Sequence, residues 1–373
     1  MMERRLWLSG QAKKEWTTIK PKPKAKACPL SIVVILGDPS KPDPIKPFCL
    51  FDEDDLCTID RLKEALGTQA AGGRWRFRYL NRHDTLLQDL VSLKEKGQAS
   101  LVFNLCDEGY LNDASKELNV PALLDILDLP YTGAQPQCLA FCYDKSLVRG
   151  VAKEMGIPVP EAILVGPEER TLKLSIPFPV IVKPNFGDNS FGITKESVVL
   201  AGEDLFEAIA RVRSRFGYER PILIEELLTS ADLSVGILGN LPDAYSVLPI
   251  LEEDYSGLPP GCPRIRGYEA KWLPDSPFGK VISRPSRLDS ATERFLIESS
   301  LRLFERLGAR DYCRFDWRMD ASGMPRLLEV NPNPGWSYDS QLAKMAQFAN
   351  MSYPDLLGAI LEAAIKRDGK PKR

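Results

Sequence analysis

Apolar residues in the first third of the chain form short runs separated by amphipathic segments. The runs at residues 31–37, 75–80 and 100–105 predict buried strands, and residues 58–66 and 84–96 have helical periodicity. Strands that alternate with helices favour a doubly wound parallel sheet, in which ligands bind beyond the carboxyl ends of the strands. The first part of the chain is therefore predicted to be an α/β domain with its ligand site at that edge.

A second region of mixed helices and strands is predicted after residue 156. The Gly-Ile-Pro-Val-Pro segment from Gly156 ends a helix predicted over residues 138–155. The later predicted strands are 179–184, 193–199, 222–227 and 233–238, and the later predicted helices are 203–216, 291–307, 339–350 and 354–366. Residues 256–267 are rich in proline and glycine and are long enough to form a mobile flap.

Two alternating segments joined by a Ser-Gly turn predict a β-hairpin over residues 314–331. Side chains alternate between the faces of a strand, so a polar and an apolar face are expected. The polar face collects Arg314, Asp316, Arg318, Glu329 and Asn331, and the apolar face collects Phe315, Trp317, Leu328 and Val330. Carboxylate and amide oxygens suit Mg²⁺, although a hairpin with one solvated face would give the same pattern.

Composition excludes some classes of function. The 373 residues carry 49 Lys+Arg against 51 Asp+Glu, and this net charge of -2 gives no basic field for nucleic acid. No apolar run is long enough to span a bilayer. Residues 1–30 hold eight basic and two acidic residues without the apolar stretch of a signal peptide, which predicts a disordered basic leader. A targeting role or an alternative start would also explain this leader, and a cytoplasmic protein is expected.

The cysteines and the single histidine also restrict the chemistry. The eight cysteines form neither a CxxC pair nor a Cys/His zinc pattern, so reduced thiols are expected. His83 lies between Arg82 and Asp84 and is expected at the surface. Ser-His-Asp and Cys-His mechanisms are thus largely excluded, and any catalysis must rely on electrostatics, a metal and positioning.

Two further polar clusters follow predicted strands. Lys183 ends a buried strand just before a glycine-containing loop, whose backbone N–H groups could bind phosphate. Glu225 and Glu226 end another strand, and Asp232 follows; these groups could hold a purine and a ribose. Each cluster alone could equally be an ordinary strand exit exposed to water.

The order of these parts is more specific than any one of them. Seven short motifs occur along the chain: PYTG at 130–133, YDK at 143–145, VKP at 182–184, YEAK at 268–271, RFD at 314–316, LEVN at 328–331 and PG at 334–335. On these motifs, residues 102–364 strongly resemble the ATP-grasp superfamily and, within it, the D-alanine–D-alanine ligase family. The resemblance implies an ATP-grasp fold behind an N-terminal doubly wound domain. It divides the chain into the leader 1–30, a substrate domain 31–135, a central subdomain 136–227 and a C-terminal subdomain 228–373.

The resemblance also implies which residues bind ATP. Lys145 and Lys183 would hold the phosphates, and the loop with Gly187, Ser190 and Gly192 would close over the transferred phosphoryl group. Adenine and ribose would be held by Glu225, Glu226, Leu228 and Asp232. Lys271 on the flap would reach the γ-phosphate.

Further implied roles concern the metal and the acyl group. Mg²⁺, with Mn²⁺ as an alternative, would be ligated by Asp316, Glu329 and Asn331. Arg314 and the backbone N–H of Gly335 would face the oxyanion, and Ser340 would hold the carboxylate of the second substrate. A carboxylate would attack ATP, and an amine would then attack the acyl phosphate. This reaction needs no histidine base.

The region that would bind the first substrate departs from the family pattern. The loop 37–43 lacks the family's glutamate, and Cys106-Asp107-Glu108 stands where a histidine is usual. A serine pair in the glycine loop becomes Asn189-Ser190, and the tyrosine after the flap lysine becomes Trp272. We therefore expect a first substrate other than D-alanine, with Glu108 or Asp43 meeting its amino group if it has one. Asn189 is also expected to bind substrate.

The function expected from the resemblance is amide or dipeptide synthesis from a small carboxylate and an amine, by a homodimer that binds neither nucleic acid nor membrane. D-alanine–D-alanine ligase activity is the alternative. A protein that binds ATP without ligating is the alternative from another class.

Overall fold

The structure is a computed structural model. It describes residues 29–46, 48–169, 172–187, 192–217, 219–269 and 276–369. The predicted basic leader therefore lies outside the described residues, apart from its last two positions. Among the described residues, no helix combines the length and the apolar character needed to cross a membrane. All seven cysteines in these ranges are free thiols, as expected.

The N-terminal region is a three-stranded parallel sheet in the order β2-β1-β3. Its elements are β1 (Leu30–Ile35), α1 (Glu53–Ala70), β2 (Trp75–Leu80), α2 (Leu86–Glu95), β3 (Leu101–Asn104) and α3 (Asn119–Ile126). Side chains of β1 alternate between two layers: Ile32 and Val34 lie in one core with α1, and Val33 and Ile35 lie in another with α2 and α3. Helices thus cover both faces, which confirms the predicted doubly wound arrangement.

The single helix predicted over residues 138–155 is wrong, because the chain forms two: α4 (Pro136–Tyr143) and α5 (Lys145–Glu154). Asp144 between them has the non-helical angles φ −97° and ψ 104°, and its carboxylate accepts the Leu147 N–H at 3.1 Å. It thus caps the N-terminus of α5. Asn185 donates to the same carboxylate at 2.8 Å. The break makes Lys145 the first residue of α5.

A four-stranded antiparallel sheet follows, in the order β4-β7-β5-β6. Its elements are β4 (Ala162–Val165), β5 (Val180–Pro184), β6 (Val198–Val199), α6 (Leu205–Phe216) and β7 (Ile222–Glu226). The strand predicted over residues 193–199 is mostly wrong. The Thr194 side chain accepts the Glu196 N–H and caps a 3-10 turn, Lys195–Ser197, so only two residues remain in β6.

The largest sheet has six strands, with β8 at its centre. Its strands are β8 (Asp232–Asn240), β9 (Ala244–Val247), β10 (Leu251–Asp254), β11 (Ile282–Pro285), β12 (Tyr312–Met319) and β13 (Pro325–Asn331). The helices of this part are α7 (Ser290–Leu307), α8 (Gln341–Phe348) and α9 (Tyr353–Arg367). Val235, Phe315 and Trp317 are fully buried against α7. The three sheets occupy successive stretches of the chain, and the domain boundaries between them stay predictions.

The predicted hairpin is formed by β12 and β13, but a β-bulge changes one of its faces. Arg314 pairs with Asn331 and Asp316 with Glu329; the register then shifts, so that Trp317 pairs with Leu327. An extra residue in one strand sends the next side chains to the other face. Leu327 is consequently fully buried, whereas Leu328 lines a cleft. The prediction that Leu328 belongs to the core is therefore wrong.

The predicted surface position of His83 is also wrong, because its side chain is buried. Its Nδ1 accepts the Leu111 N–H at 2.7 Å, and its Nε2 lies 2.9 Å from the Leu36 carbonyl. Because Nδ1 accepts a hydrogen bond, Nε2 is the ring nitrogen that can donate to the Leu36 carbonyl. His83 therefore joins the loops at the carboxyl end of the first sheet.

Candidate active site

A cleft lies between the four-stranded and the six-stranded sheets and holds about 840 Å³, its open mouth included. Nine residues predicted for the site line it: Lys145, Lys183, Glu225, Glu226, Leu228, Asp232, Arg314, Asp316 and Glu329. Gly187 and Asn331 line an adjoining pocket of about 400 Å³, which shares Lys145 and Glu329 with the cleft. The fold thus gathers groups that lie nearly 200 positions apart in the chain, and their individual roles stay predictions.

The polar face of the hairpin forms one hydrogen-bond network. Arg314 donates from Nε and Nη2 to the two oxygens of Asp316, each at 2.9 Å. Ser234 from β8 donates to Asp316 at 2.6 Å. The Asn331 amide lies between the carboxylates, 2.9 Å from Asp316 and 3.4 Å from Glu329. Burial disfavours the charged form of Arg314 and acts to lower its pKa. The charge of Asp316 and its hydrogen bonds act in the opposite direction and prevail, so the pKa of Arg314 is raised.

This network offers the kind of ligands that Mg²⁺ prefers. Asp316 and Glu329 are carboxylates at the cleft, and their side chains are 14% and 32% exposed. The described ranges contain no group of three or more His, Cys, Asp or Glu side chains that could hold a metal. Mg²⁺ commonly takes one or two protein carboxylates and completes its shell with water and phosphate oxygens. The residues present therefore fit such an ion bound together with a nucleotide.

Lys145 connects the hairpin to the start of the glycine loop. Its ammonium group donates to the Gly187 carbonyl and lies 3.9 Å from Glu329 Oε2. At the far end of the loop, Gly192 has φ +83°, and a Cβ there would lie 2.2 Å from the Phe216 ring. Only glycine fits that position. Asn189 and Ser190, predicted for substrate and ATP binding, lie outside the described residues.

Lys183 and Glu225 meet on the cleft wall, and sequence analysis missed their third partner. Lys183 Nζ donates to Glu225 Oε1 at 2.7 Å, and Arg149 Nη1 donates to Glu225 Oε2 at 2.9 Å. Arg149 follows Lys145 by four residues on α5, so helical spacing was the available signal. The carboxylate predicted to hold adenine or ribose is thus shared between two cations.

The β7–β8 connection is held by a second buried arginine, Arg318 of β12. It donates to the Leu228 carbonyl and, from Nη2, to Asp232 at 2.9 Å. Tyr255 donates its hydroxyl to the same carboxylate. Burial and the neighbouring Asp232 raise the pKa of Tyr255 well above its ordinary value. The neighbouring Glu226 lines the cleft, and one of its carboxylate oxygens accepts the Glu161 N–H at 3.0 Å.

The groups predicted for the second substrate and the oxyanion follow β13. Ser340 caps α8, because its hydroxyl accepts the Ala343 N–H at 3.2 Å. Gly335 lies against the N-terminal region: a Cβ on it would be 3.6 Å from Asp107 Oδ2. Trp336 donates its indole N–H to the other oxygen of Asp107 at 2.9 Å. Asp107, which no prediction singled out, is therefore the acid beside Gly335.

Glu108, predicted to bind the first substrate, does not line the cleft. Its Oε2 is buried without a hydrogen-bond partner among the described residues. The same oxygen packs against Gly37: a Cβ added to Gly37 would lie 2.6 Å from it. Burial, and then the charge of Asp107, raises the pKa of Glu108 well above its ordinary value. Burial also raises the pKa of Asp43, whose carboxylate accepts the Ile45 N–H at 3.0 Å.

The end of the predicted flap and the two residues after it contact the residues that follow the glycine loop. The Tyr268 N–H donates to the Ile193 carbonyl at 2.7 Å, and the Lys195 N–H donates to Glu269 at 3.1 Å. A Cβ on Gly267 would lie 2.7 Å from the same carbonyl. Lys271 and Trp272, further along the flap, lie outside the described residues. The two segments therefore contact one another beside the cleft, which Ile193 and Ile265 line.

Comparisons with known proteins agree with this architecture. The family described as D-ala D-ala ligase C-terminus matches residues 151–362. The uncharacterized protein y4sG of Sinorhizobium fredii is 32% identical over 270 residues, which cover 72% of this chain and 76% of that protein. The D-alanine–D-alanine ligase of Halalkalibacterium halodurans is 28% identical over 289 residues, covering 76% and 87%.

A solved structure supports the same fold. The D-alanine–D-alanine ligase from Bacillus anthracis complexed with ATP has a TM-score of 0.67 at 20% identity, covering 91% of this chain and 99% of that one. ATP, the ligand in that structure, is the nucleotide that the resemblance predicts for this cleft. The family match spans more than half of the chain and contains most of the cleft. The chain therefore belongs to the D-alanine–D-alanine ligase family and is an ATP-grasp, ADP-forming ligase.

Proposed function

We propose that this protein joins a small carboxylate to an amine through an acyl phosphate, converting ATP to ADP and phosphate. One observation carries the proposal: Lys145, Lys183 and Arg314 share a single cleft with the Asp316–Glu329 carboxylate pair. Phosphoryl transfer depends mainly on positioning and on neutralising the charge of the phosphates. A cleft that holds these cations and a divalent-ion ligand set supplies both.

The first half of the proposed reaction is phosphoryl transfer. Lys145 and Lys183 bind the phosphates of ATP, while the carboxylate of the first substrate attacks the γ-phosphorus and ADP leaves. Asp316, Glu329 and Asn331 would hold Mg²⁺, or Mn²⁺, which supplies further neutralisation of phosphate charge when bound. The glycine loop and flap exclude water, because an acyl phosphate that meets water is hydrolysed.

The second half forms the amide. The amine of the second substrate attacks the acyl carbon, and the carbonyl oxygen becomes an oxyanion. Arg314 and the Gly335 N–H stabilise this oxyanion by charge and hydrogen bonding. When the tetrahedral intermediate collapses, phosphate leaves with the bonding electrons and takes up the proton that the amine nitrogen loses. Ser340 at the start of α8 is proposed to contact the carboxylate of the second substrate. Lys271 on the flap is proposed to contact the γ-phosphate of ATP.

For the substrates, we propose an amino acid or related carboxylate other than D-alanine in the first position. The support is that residues at the carboxyl edge of the first sheet differ from the family pattern. Asp107 lies beside Gly335 there, and the buried Glu108 packs on Gly37. Named relatives include D-alanine–D-alanine ligases, so synthesis of D-alanyl-D-alanine is the competing assignment. We also propose a homodimer, which light scattering of the purified protein would test against a monomer mass of 41.7 kDa.

The test is phosphate release that depends on ATP and Mg²⁺, measured against D- and L-amino acids singly and in pairs, with product masses read in parallel. Release with a mixed pair, and the mass of its amide, would identify the substrates. Release with D-alanine alone and a D-alanyl-D-alanine mass would overturn the substrate proposal but keep the ligase chemistry. The Asp316→Ala variant is the matched control for phosphate released by a contaminating enzyme.

A further inference from the structure

Arg149 lies just behind the wall of the cleft. It follows Lys145 by four residues, so both side chains project from the same face of α5. Lys145 lines the cleft and Arg149 does not. The Arg149 side chain is only 7% exposed, so its charge must be balanced inside the protein.

Glu225 links Arg149 to the cleft. The oxygens of this carboxylate are divided between the two cations, with Lys183 at 2.7 Å and Arg149 at 2.9 Å. The Glu225 side chain is 2% exposed and that of Lys183 is 8% exposed. Arg149 also donates from Nη2 to the Pro160 carbonyl at 2.6 Å, which fixes the plane of its guanidinium group. Three elements, α5, β5 and β7, thus meet at one buried ion cluster.

The charge of this cluster follows from its members. Two cations and one carboxylate leave a net charge of +1 at the cleft wall, whereas Lys183 and Glu225 alone would cancel. Electrostatic interactions are strong in a poorly solvated site, so this excess charge favours a bound anion. The second cation also prevents Glu225 from neutralising Lys183 completely, and it holds the carboxylate in one orientation.

We infer that Arg149 is a positioning residue for the phosphates of ATP: it offsets the negative charge of Glu225, so that this carboxylate does not cancel the positive field of Lys183 at the nucleotide. This inference rests on the proposed role of Lys183 in ATP binding. Arg149 does not line the cleft, so it is expected to act on the nucleotide through Glu225 and Lys183. A purely structural role, joining α5 to β7, is the competing explanation.

The two explanations differ in what they predict for nucleotides of different charge. Loss of a charge that acts on the phosphates weakens ATP binding more than adenosine binding, because adenosine carries no phosphate. Loss of a structural link alters the cleft for both ligands or lowers the thermal stability alone. The ratio of ATP to adenosine affinity therefore separates the two.

The experiment measures the Kd of ATP with Mg²⁺, and of adenosine, by calorimetry on the full chain. We expect Arg149→Met and Arg149→Gln to weaken ATP binding by on the order of tenfold more than they weaken adenosine binding. Arg149→Lys should restore much of the ATP affinity. Arg149→Gln can still donate hydrogen bonds to Glu225, so it decides the question if Arg149→Met fails to fold.

Arg326→Met is the matched control, because it removes a part-buried ion pair with Asp320, at 2.6 Å, from a side chain outside the cleft. It should leave both affinities unchanged. A native ratio of ATP to adenosine affinity in a folded Arg149→Gln protein would overturn the inference. This binding assay needs no carboxylate or amine, so its outcome is independent of whether amide synthesis is found.

Discussion

Arg314 and Asp316 neutralise one another across the cleft face of β12, through two hydrogen bonds of 2.9 Å. The two residues are predicted for different tasks, oxyanion stabilisation and metal binding. Ser234 and Asn331 hold the carboxylate from its other side. The pair therefore fixes both groups before ligands bind, and a divalent ion at Asp316 would leave more of the Arg314 charge for substrate.

The first prediction concerns Arg314. Replacing it with leucine should lower kcat by on the order of 10²–10³, because an oxyanion would lose its charged donor. Asp316 would keep its bonds to Ser234 and Asn331, so the protein should still fold. Steady-state kinetics with the identified substrates, together with a melting curve, would check this. A folded variant with near-normal kcat would remove Arg314 from the oxyanion role.

The second prediction concerns the metal. Asp316→Ala and Glu329→Ala should abolish turnover that depends on Mg²⁺. Removal of divalent ions by a chelator should abolish turnover of the native protein, and added Mg²⁺ should restore it. The physical reason is that each variant removes one of the two carboxylates expected to hold the ion. Phosphate release titrated with Mg²⁺ and Mn²⁺ measures the effect. Unchanged metal dependence in either variant would refute the ligand assignment.

The third prediction is a pH dependence of stability. Burial raises the pKa of Glu108 well above 4.5, its ordinary value, so the folded protein binds this proton more tightly than the unfolded chain does. The stabilising contribution is present below that ordinary value and is lost as pH rises through the folded-state pKa. Glu108→Gln, which cannot ionise, should therefore gain stability relative to the native protein as the pH rises.

Denaturant unfolding at a series of pH values would measure this gain, which cannot exceed about 1.4 kcal/mol per pH unit for one proton. At the acid end of the series the two proteins should be nearly equal. Glu95→Gln serves as the control, because Glu95 is exposed at the end of α2. An advantage for Glu108→Gln that is the same at every pH would contradict the expected ionisation.

The fourth prediction concerns the contact between the flap and the glycine loop. Gly267→Ala would place a Cβ 2.7 Å from the Ile193 carbonyl, which must displace one of the two loops. Water should then reach the acyl phosphate, so more phosphate would be released per amide formed. Parallel assays of phosphate and amide measure this ratio. Gly72→Ala, where a Cβ meets nothing within 4 Å, should keep the native ratio.

Some features were determined by residues close together in the chain. The polar and apolar alternation of residues 314–317 predicted the face shared by Arg314 and Asp316, because strand geometry sends alternate side chains to opposite sides. The apolar runs predicted the parallel strands of the first sheet. The ordered motifs predicted the family, which the comparisons confirmed.

Tertiary structure decided the rest. The bulge after Asp316 depends on how β12 pairs with β13, and it moved Leu328 from the expected core to the cleft. His83 is buried because loops distant in sequence supply its hydrogen-bond partners. Arg149 and Glu225 are 76 residues apart, and Lys183 and Glu225 are 42 apart. No local pattern encodes such pairs, since burial brings the charges together only after α5, β5 and β7 have packed.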